Sequence, residues 1–324
     1  MIVGEIALET ATRPPSWKIL LAFGIIYFVW GSTFLAIRVG VNEVPPFLLA
    51  GIRFFVSGIV LYGWMRLKGA PPPSRTEWAS ATLLGALIFL VDYGCLFWAE
   101  QRVPSGIAAV VLATIPVFIT LLEIIFLRTQ QLTVRLGLAL LAGLCGVAVL
   151  TIPSFSFGEV PINRAGALAL LVAAFTWSVA TILTRRLTLP ASKPMSAAAQ
   201  MLTGGAQLFV LAALSGEFAG FHLQAVSAKA WFALLYLIVA GSIVGFTAYV
   251  WLLHHESPTK VGTYAYVNPV VAVAMGYFVG GEAVGSRTLL GALLVLISVI
   301  AIATIPRKAS DARKQPELSI AEAD

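Results

Sequence analysis

The chain has 324 residues, 59% of them apolar and only 11% charged, with a formal net charge of +6 and a mean hydropathy of +0.92. A soluble domain carries about 25% charged residues, so too little charge is present to cover a water-facing surface, and disorder is excluded because disordered chains are polar and highly charged. The composition is that of an integral membrane protein.

A helix needs about 20 mostly apolar residues to cross the hydrocarbon core, and ten such runs follow one another along the chain. A segment of residues 1–16 precedes them and is expected to be cytoplasmic; it lacks a cleavage-like site, so no signal peptide is expected. Run 1 (17–37) carries Tyr27, Trp30 and Thr33 at three-residue spacing, hence on one face. Run 2 (45–65) contains Arg53, and run 3 (78–99) contains Asp92, Tyr93 and Cys95. Run 4 (104–126) has Pro116 about halfway along and Glu123 near its end, and run 5 (134–152) holds Cys145. A connecting loop over 154–164 follows. Run 6 (165–184) repeats the first stripe with Trp177, Thr181 and Thr184, and run 7 (195–214) is featureless. Run 8 (230–252) offers Ser242, Phe246 and Tyr249 before His254-His255-Glu256. Run 9 (258–279) has Tyr264 and Asn268 one turn apart, then Pro269 and Gly276. Run 10 (288–305) precedes a tail over 307–324 that reads as disordered and cytoplasmic. The period-2 alternation of a membrane barrel is absent, so the expected fold class is an all-α membrane protein with ten transmembrane helices.

Cytoplasmic loops carry the excess of Lys and Arg. With the N-terminus inside, fifteen basic residues fall on the cytoplasmic side and five (Arg38, Arg102, Arg164, Lys229, Arg287) on the other, with Arg53 inside a helix. Both termini are therefore expected in the cytoplasm, and the bias accounts for the net positive charge without nucleic acid as a partner.

The chain repeats itself. Residues 135–153 align without gaps on 288–306, sharing a Thr-Ile-Pro end, and the same offset places Pro116 on Pro269 and Trp98 on Trp251. An offset of 147 places Trp30 on Trp177. The halves are 17–153 and 165–306, and because five crossings is an odd number the second half must enter the membrane inverted, the plan of many secondary transporters.

Charges inside a membrane are functional candidates by default. Counted at 1.5 Å per residue, Arg53 and Asp92 lie at the same depth, and the aligned second-half positions are Gln200 and Gly245. Both charges are missing there together, so an ion pair is expected, read first as structural and second as a proton or substrate site. Pro116 and Pro269 each delete a backbone donor, and a kink is expected at each, acting as a hinge or as plain curvature. The aromatic and hydroxyl stripes, with Tyr93, are the candidate substrate cavity, weighed against ordinary helix packing. The cysteines read as packing residues. No phosphate loop, zinc motif or Ser/His/Asp set occurs, so neither an enzyme, a metal nor a cofactor is expected.

Trp30-Gly31-Ser32, Arg53-Phe54, Val103-Pro104-Ser105-Gly106-Ile107-Ala108-Ala109, Tyr264-Ala265-Tyr266-Val267-Asn268-Pro269-Val270 and Gly281-Glu282 together resemble the drug/metabolite transporter superfamily, and in it the EamA-type bacterial exporters of the YedA-like group. The resemblance implies ten helices in inverted repeats, a bacterial inner-membrane location, and export of small metabolites such as amino acids through a central cavity. Facilitative and proton-linked transport both remain open, as does a homodimer. A first-half counterpart of Glu282 would fall on Thr129, so any role of that acid is confined to the second half.

Overall fold

The computed structural model describes residues 14–127, 132–151, 163–184, 186–255, 261 and 264–304. The N-terminal segment to residue 13, the connecting loop to residue 162 with Pro153, and the tail from 305 lie outside the described residues, as do Thr129, Arg185 and Glu256.

Among the described residues the regular structure is helical, and seven helices are long and apolar enough to cross a membrane: α1 Ser16–Val41, α2 Pro46–Leu67, α3 Arg75–Glu100, α4 Ser105–Phe126, α6 Arg164–Thr184, α7 Lys193–Leu214 and α8, which covers Ala228–Tyr249 and continues to His255. Three shorter apolar helices complete the set: α5 Val134–Thr151, α9 Tyr264–Phe278 and α10 Ser286–Ala303. Large apolar side chains face outward at the helix ends, among them Leu67, Val134, Leu214 and Phe278, which only a lipid surround tolerates at this density.

Local chemistry sets several boundaries. Helix α3 starts three residues before the apolar run because Ser74 and Glu77 form a capping box: the Glu77 amide donates to Ser74 Oγ, and the Ser74 amide donates to Glu77 Oε2 at 2.6 Å. Ser192 and Ser227 cap α7 and α8 by the hydroxyl alone, which accepts from the amides of Met195 and Ala230. Helix α4 is interrupted at Ala113–Thr114, just ahead of Pro116, where the ring removes a ladder donor. Helix α9 continues through Pro269, so the expected likeness of the two proline sites does not extend to a break in α9. Four stretches are π-helical: Ile25–Val29, Ala86–Tyr93, Glu123–Leu127 and Leu237–Val244. Two of them occupy matching positions in α3 and α8.

Packing follows a pattern of exchange. The most extensive helix pairs are α2 with α7 and α5 with α10; α1 packs on α8 and α9, α6 packs on α3 and α4, and α2 packs on α8 as α7 does on α3. Adding or subtracting five maps each of these pairings onto another of them or onto itself. The α2–α7 contact is antiparallel: Cβ positions at Gly51, Gly58 and Gly205 abut Phe209, Leu202 and Phe55. Because an offset of 147 carries Phe55 to Leu202 and Gly58 to Gly205, the last two contacts are one contact made twice. Helices α5 and α10 also lock at both ends. Arg135 Nη2 donates to Thr304 Oγ1 at 3.1 Å, and Arg287 Nε and Nη2 donate to the carbonyls of Val149 and Leu150 at 2.8 and 2.6 Å, supplying two of the final carbonyls of α5 with donors.

A Cβ at Gly58 would sit 2.8 Å from the Leu202 amide nitrogen and one at Gly205 would sit 2.6 Å from that of Phe55, while one at Gly63 meets nothing within 4 Å. Gly58→Ala and Gly205→Ala should each cost about 1–3 kcal/mol, seen as a lower melting temperature in detergent, and Gly63→Ala should leave it unchanged.

Candidate functional site

The π-helical turns decide the geometry at mid-helix. An i→i+5 pattern displaces carbonyls from the regular ladder, and Trp30, directly after the first π turn, donates its indole Nε1–H to one of them, Gly241 O in α8, at 3.0 Å. Its ring packs on Tyr249 (5.3 Å) and edge-on to Tyr264 (5.1 Å), Tyr249 meets Tyr264 edge-on at 6.0 Å, and Phe246 lies 6.1 Å from Tyr249. Helices α1, α8 and α9 thus contribute one aromatic group. Tyr27 packs on Phe23 instead. Asn268, with its amide nitrogen turned to the carbonyls it faces, donates to Tyr27 O at 3.1 Å and Tyr264 O at 3.2 Å.

A second group, Phe54, Phe89, Tyr93 and Phe97 from α2 and α3, reaches α6 where Tyr93 meets Trp177 edge-on at 6.3 Å. The two groups adjoin at Arg53. Its Nε donates to Ser242 Oγ at 3.1 Å, one residue beyond the carbonyl that Trp30 binds, and its guanidinium lies over the rings of Phe54, Tyr93 and Phe97 at 4.7, 5.3 and 5.9 Å.

The expected Arg53–Asp92 ion pair is not formed. Both side chains are buried, at 3% and 1% exposure, yet Arg53 Nη1 and Asp92 Oδ1 have no hydrogen-bond partner. Counting residues fixes depth but not direction, and the π-helical stretch Ala86–Tyr93 shifts the angular register of the helix before Asp92 is reached. Thr33 and Thr181 are also less available than their stripes suggest, since their hydroxyls donate to the carbonyls of Trp30 and Trp177 in their own helices. Cys95 is half-buried and Cys145 is exposed on the bundle surface rather than packed. His255 stacks on Trp251 at 4.2 Å, and no metal-holding group of His, Cys, Asp or Glu occurs among the described residues.

Of the acids at one end of the bundle, the sequence reading singles out Glu282 only through the family resemblance and does not single out Glu43 or Glu217. Pro45 and Pro46 leave Phe47 and Leu48 as the first free amides of α2, and they donate to the two carboxylate oxygens of Glu217, from the other half, at 3.3 and 2.8 Å. The first amides of α4, Ser105 and Gly106, donate to Glu282 at 2.9 and 3.2 Å; a Cβ at Gly276 would sit 2.5 Å from that carboxylate, so the glycine makes room for it. In the reverse sense Glu43 of the first half accepts from the amide and hydroxyl of Ser227 at 2.6 and 2.7 Å. Arg38 Nη1 donates to Glu100 O alongside, and a cavity of about 280 Å³ borders Arg38, Lys229 and Glu282. The signal for these contacts was present as acids in the turns beside Pro-led helices, where a negative charge meets free amides and the positive end of a helix dipole.

The family model described as the EamA-like transporter family matches the chain twice, over residues 16–152 and 164–304. The inner membrane transporter YedA of Escherichia coli K12 is 36% identical over 291 residues, covering 88% of this chain and 91% of that protein. Protein PecM of Dickeya dadantii is 26% identical over 86% of this chain and 89% of its own length, and the transporter YoaV of Bacillus subtilis is 24% identical over 87% and 95%. A crystal structure 21% identical covers 89% of this chain and 97% of that chain with a TM-score of 0.59, so the fold is shared.

The carboxylate contacts should respond to acid in sequence. Bonds from Ser227 hold the Glu43 carboxyl below its ordinary value, so its stabilising contribution is complete above the ordinary carboxylate range and is lost as pH falls through the lowered value. Burial pushes Glu217 up despite its two amide donors, so the folded state favours its protonation and its carboxylate form is given up at a higher pH. Hydrogen-exchange protection of the Leu48 amide should therefore fall at a higher pH than that of Ser227; a common midpoint contradicts this order.

Proposed function

The chain belongs to the EamA-like transporter family, and we propose that it exports small amphipathic metabolites, amino acids or drug-like compounds, across a bacterial inner membrane by alternating access through a cavity between its halves. One observation carries this reading: the Trp30, Tyr249 and Tyr264 rings adjoin Arg53, Tyr93 and Trp177 at mid-helix, so residues of both halves build one polar-edged aromatic wall. Such walls suit amphipathic organic molecules. In this reading all ten helices span the bilayer, the two five-helix halves are inverted relative to each other, and both termini are cytoplasmic. The exchange of pairings and the antiparallel α2–α7 contact support it, as does the YedA relative, an inner membrane transporter. The π-helical stretches and the break before Pro116 supply places where helices can bend between states.

Proton-coupled antiport is the second reading, favoured by Glu100, which is fully buried in α3 with neither carboxyl oxygen hydrogen-bonded.

Liposome counterflow with a panel of amino acids and cationic dyes tests the proposal. Trp30→Ala and Tyr264→Ala should reduce the transport rate at least about tenfold, equivalent to about 1.4 kcal/mol, and Trp17→Ala, at the exposed start of α1, should not. Absence of counterflow for every compound contradicts export. An imposed pH gradient should accelerate uptake only if the second reading holds.

A further inference from the structure

We propose that Arg53 anchors the carboxylate of the transported molecule, so that the cavity takes small organic carboxylates carrying an apolar body. The inference rests on the transport reading above and narrows it. A guanidinium cannot shed its proton in a protein, and one placed midway along a membrane helix is stabilised only by partners. Arg53 has few. Its faces lie against Phe54, Tyr93 and Phe97, and its Nε is taken by Ser242. Asp92 does not bond to it. The end-on fork of Nη1 and Nη2 is left: Nη1 is enclosed without a partner, and Nη2 lies beside Gly241, where a Cβ would come within 3.3 Å.

That fork matches the two oxygens of a carboxylate, which an arginine can bind bidentately and a lysine cannot. The ring of Tyr93, facing both the guanidinium and Trp177, places apolar surface next to the anionic subsite, as a ligand with a charged head and an apolar body requires. Gly241 serves both groups: its carbonyl binds Trp30 and its missing side chain admits Nη2.

The test titrates purified protein with matched pairs, 3-phenylpropanoate, benzoate, phenylalanine and leucine against the amide of each, by tryptophan fluorescence, and repeats the series as counterflow in liposomes. At least one carboxylate should bind about tenfold more tightly than its amide. Arg53→Gln should abolish that preference, and Arg53→Lys, with the charge but not the fork, should fall between. Gly241→Ala, whose methyl would come within 3.3 Å of Nη2 and 2.9 Å of Thr33 Cγ2, leaves the charge and should also lower the preference; combined with Thr33→Ser, which removes the second contact, it decides the matter if the Arg53 variants do not fold. Equal binding of carboxylates and amides, a preference that survives Arg53→Gln, or no carboxylate bound at millimolar concentration overturns the anchor. Counterflow of amides or cationic dyes without a carboxylate preference overturns the anchor alone, whereas no counterflow of any compound overturns transport itself.

Discussion

Every polar backbone group that lipid surrounds must find its partner inside the protein, and in this chain four helix ends find theirs across the two halves, while Ser74 and Ser192 cap their own helices. Glu217 and Glu282 take the first amides of α2 and α4, Glu43 takes the start of α8, and Arg287 takes the final carbonyls of α5. Each half is therefore incomplete without the other. This explains how helices as apolar as these are held in one register: apolar faces slide past each other at little cost in lipid, but a carboxylate on two amides fixes both position and orientation.

Between the fixed ends the bundle is assembled from close backbone approaches and local departures from α-helix. Glycines at 51, 58 and 205 let α2 and α7 meet nearly backbone to backbone, leaving the π-helical parts of α3 and α8 to turn polar atoms inward. Gly241 O and Ser242 are usable by Trp30 and Arg53 because they lie in such a stretch. The aromatic groups then occupy the space between helices of opposite halves.

Much of this was legible from the residues. The seven spans and three shorter apolar helices of the described structure fall on the apolar runs, since length and hydropathy are what the bilayer selects. Helical spacing puts Trp30, Tyr249 and Tyr264 on faces, and the structure brings their rings into contact. What escapes is anything set by angle: Asp92 makes no bond to Arg53, because the π-helical stretch Ala86–Tyr93 turns the helix ahead of it and π turns leave no clear mark in an apolar sequence. Glu43 and Glu217 give no clear sign either, because a lone Glu in a short loop looks like solvent-facing charge. Pro269, aligned with Pro116, leaves α9 continuous, since a proline's effect depends on what its neighbours supply to the freed carbonyl.

The cross-half carboxylates have an energetic corollary for turnover. Glu43, Glu217 and Glu282 cluster at one end of the bundle and together accept six hydrogen bonds. In the proposed alternating-access cycle, parting the halves at that end exchanges all six of these bonds for bonds to water, a trade nearly balanced in free energy, so the same contacts that fix the register leave that end free to open.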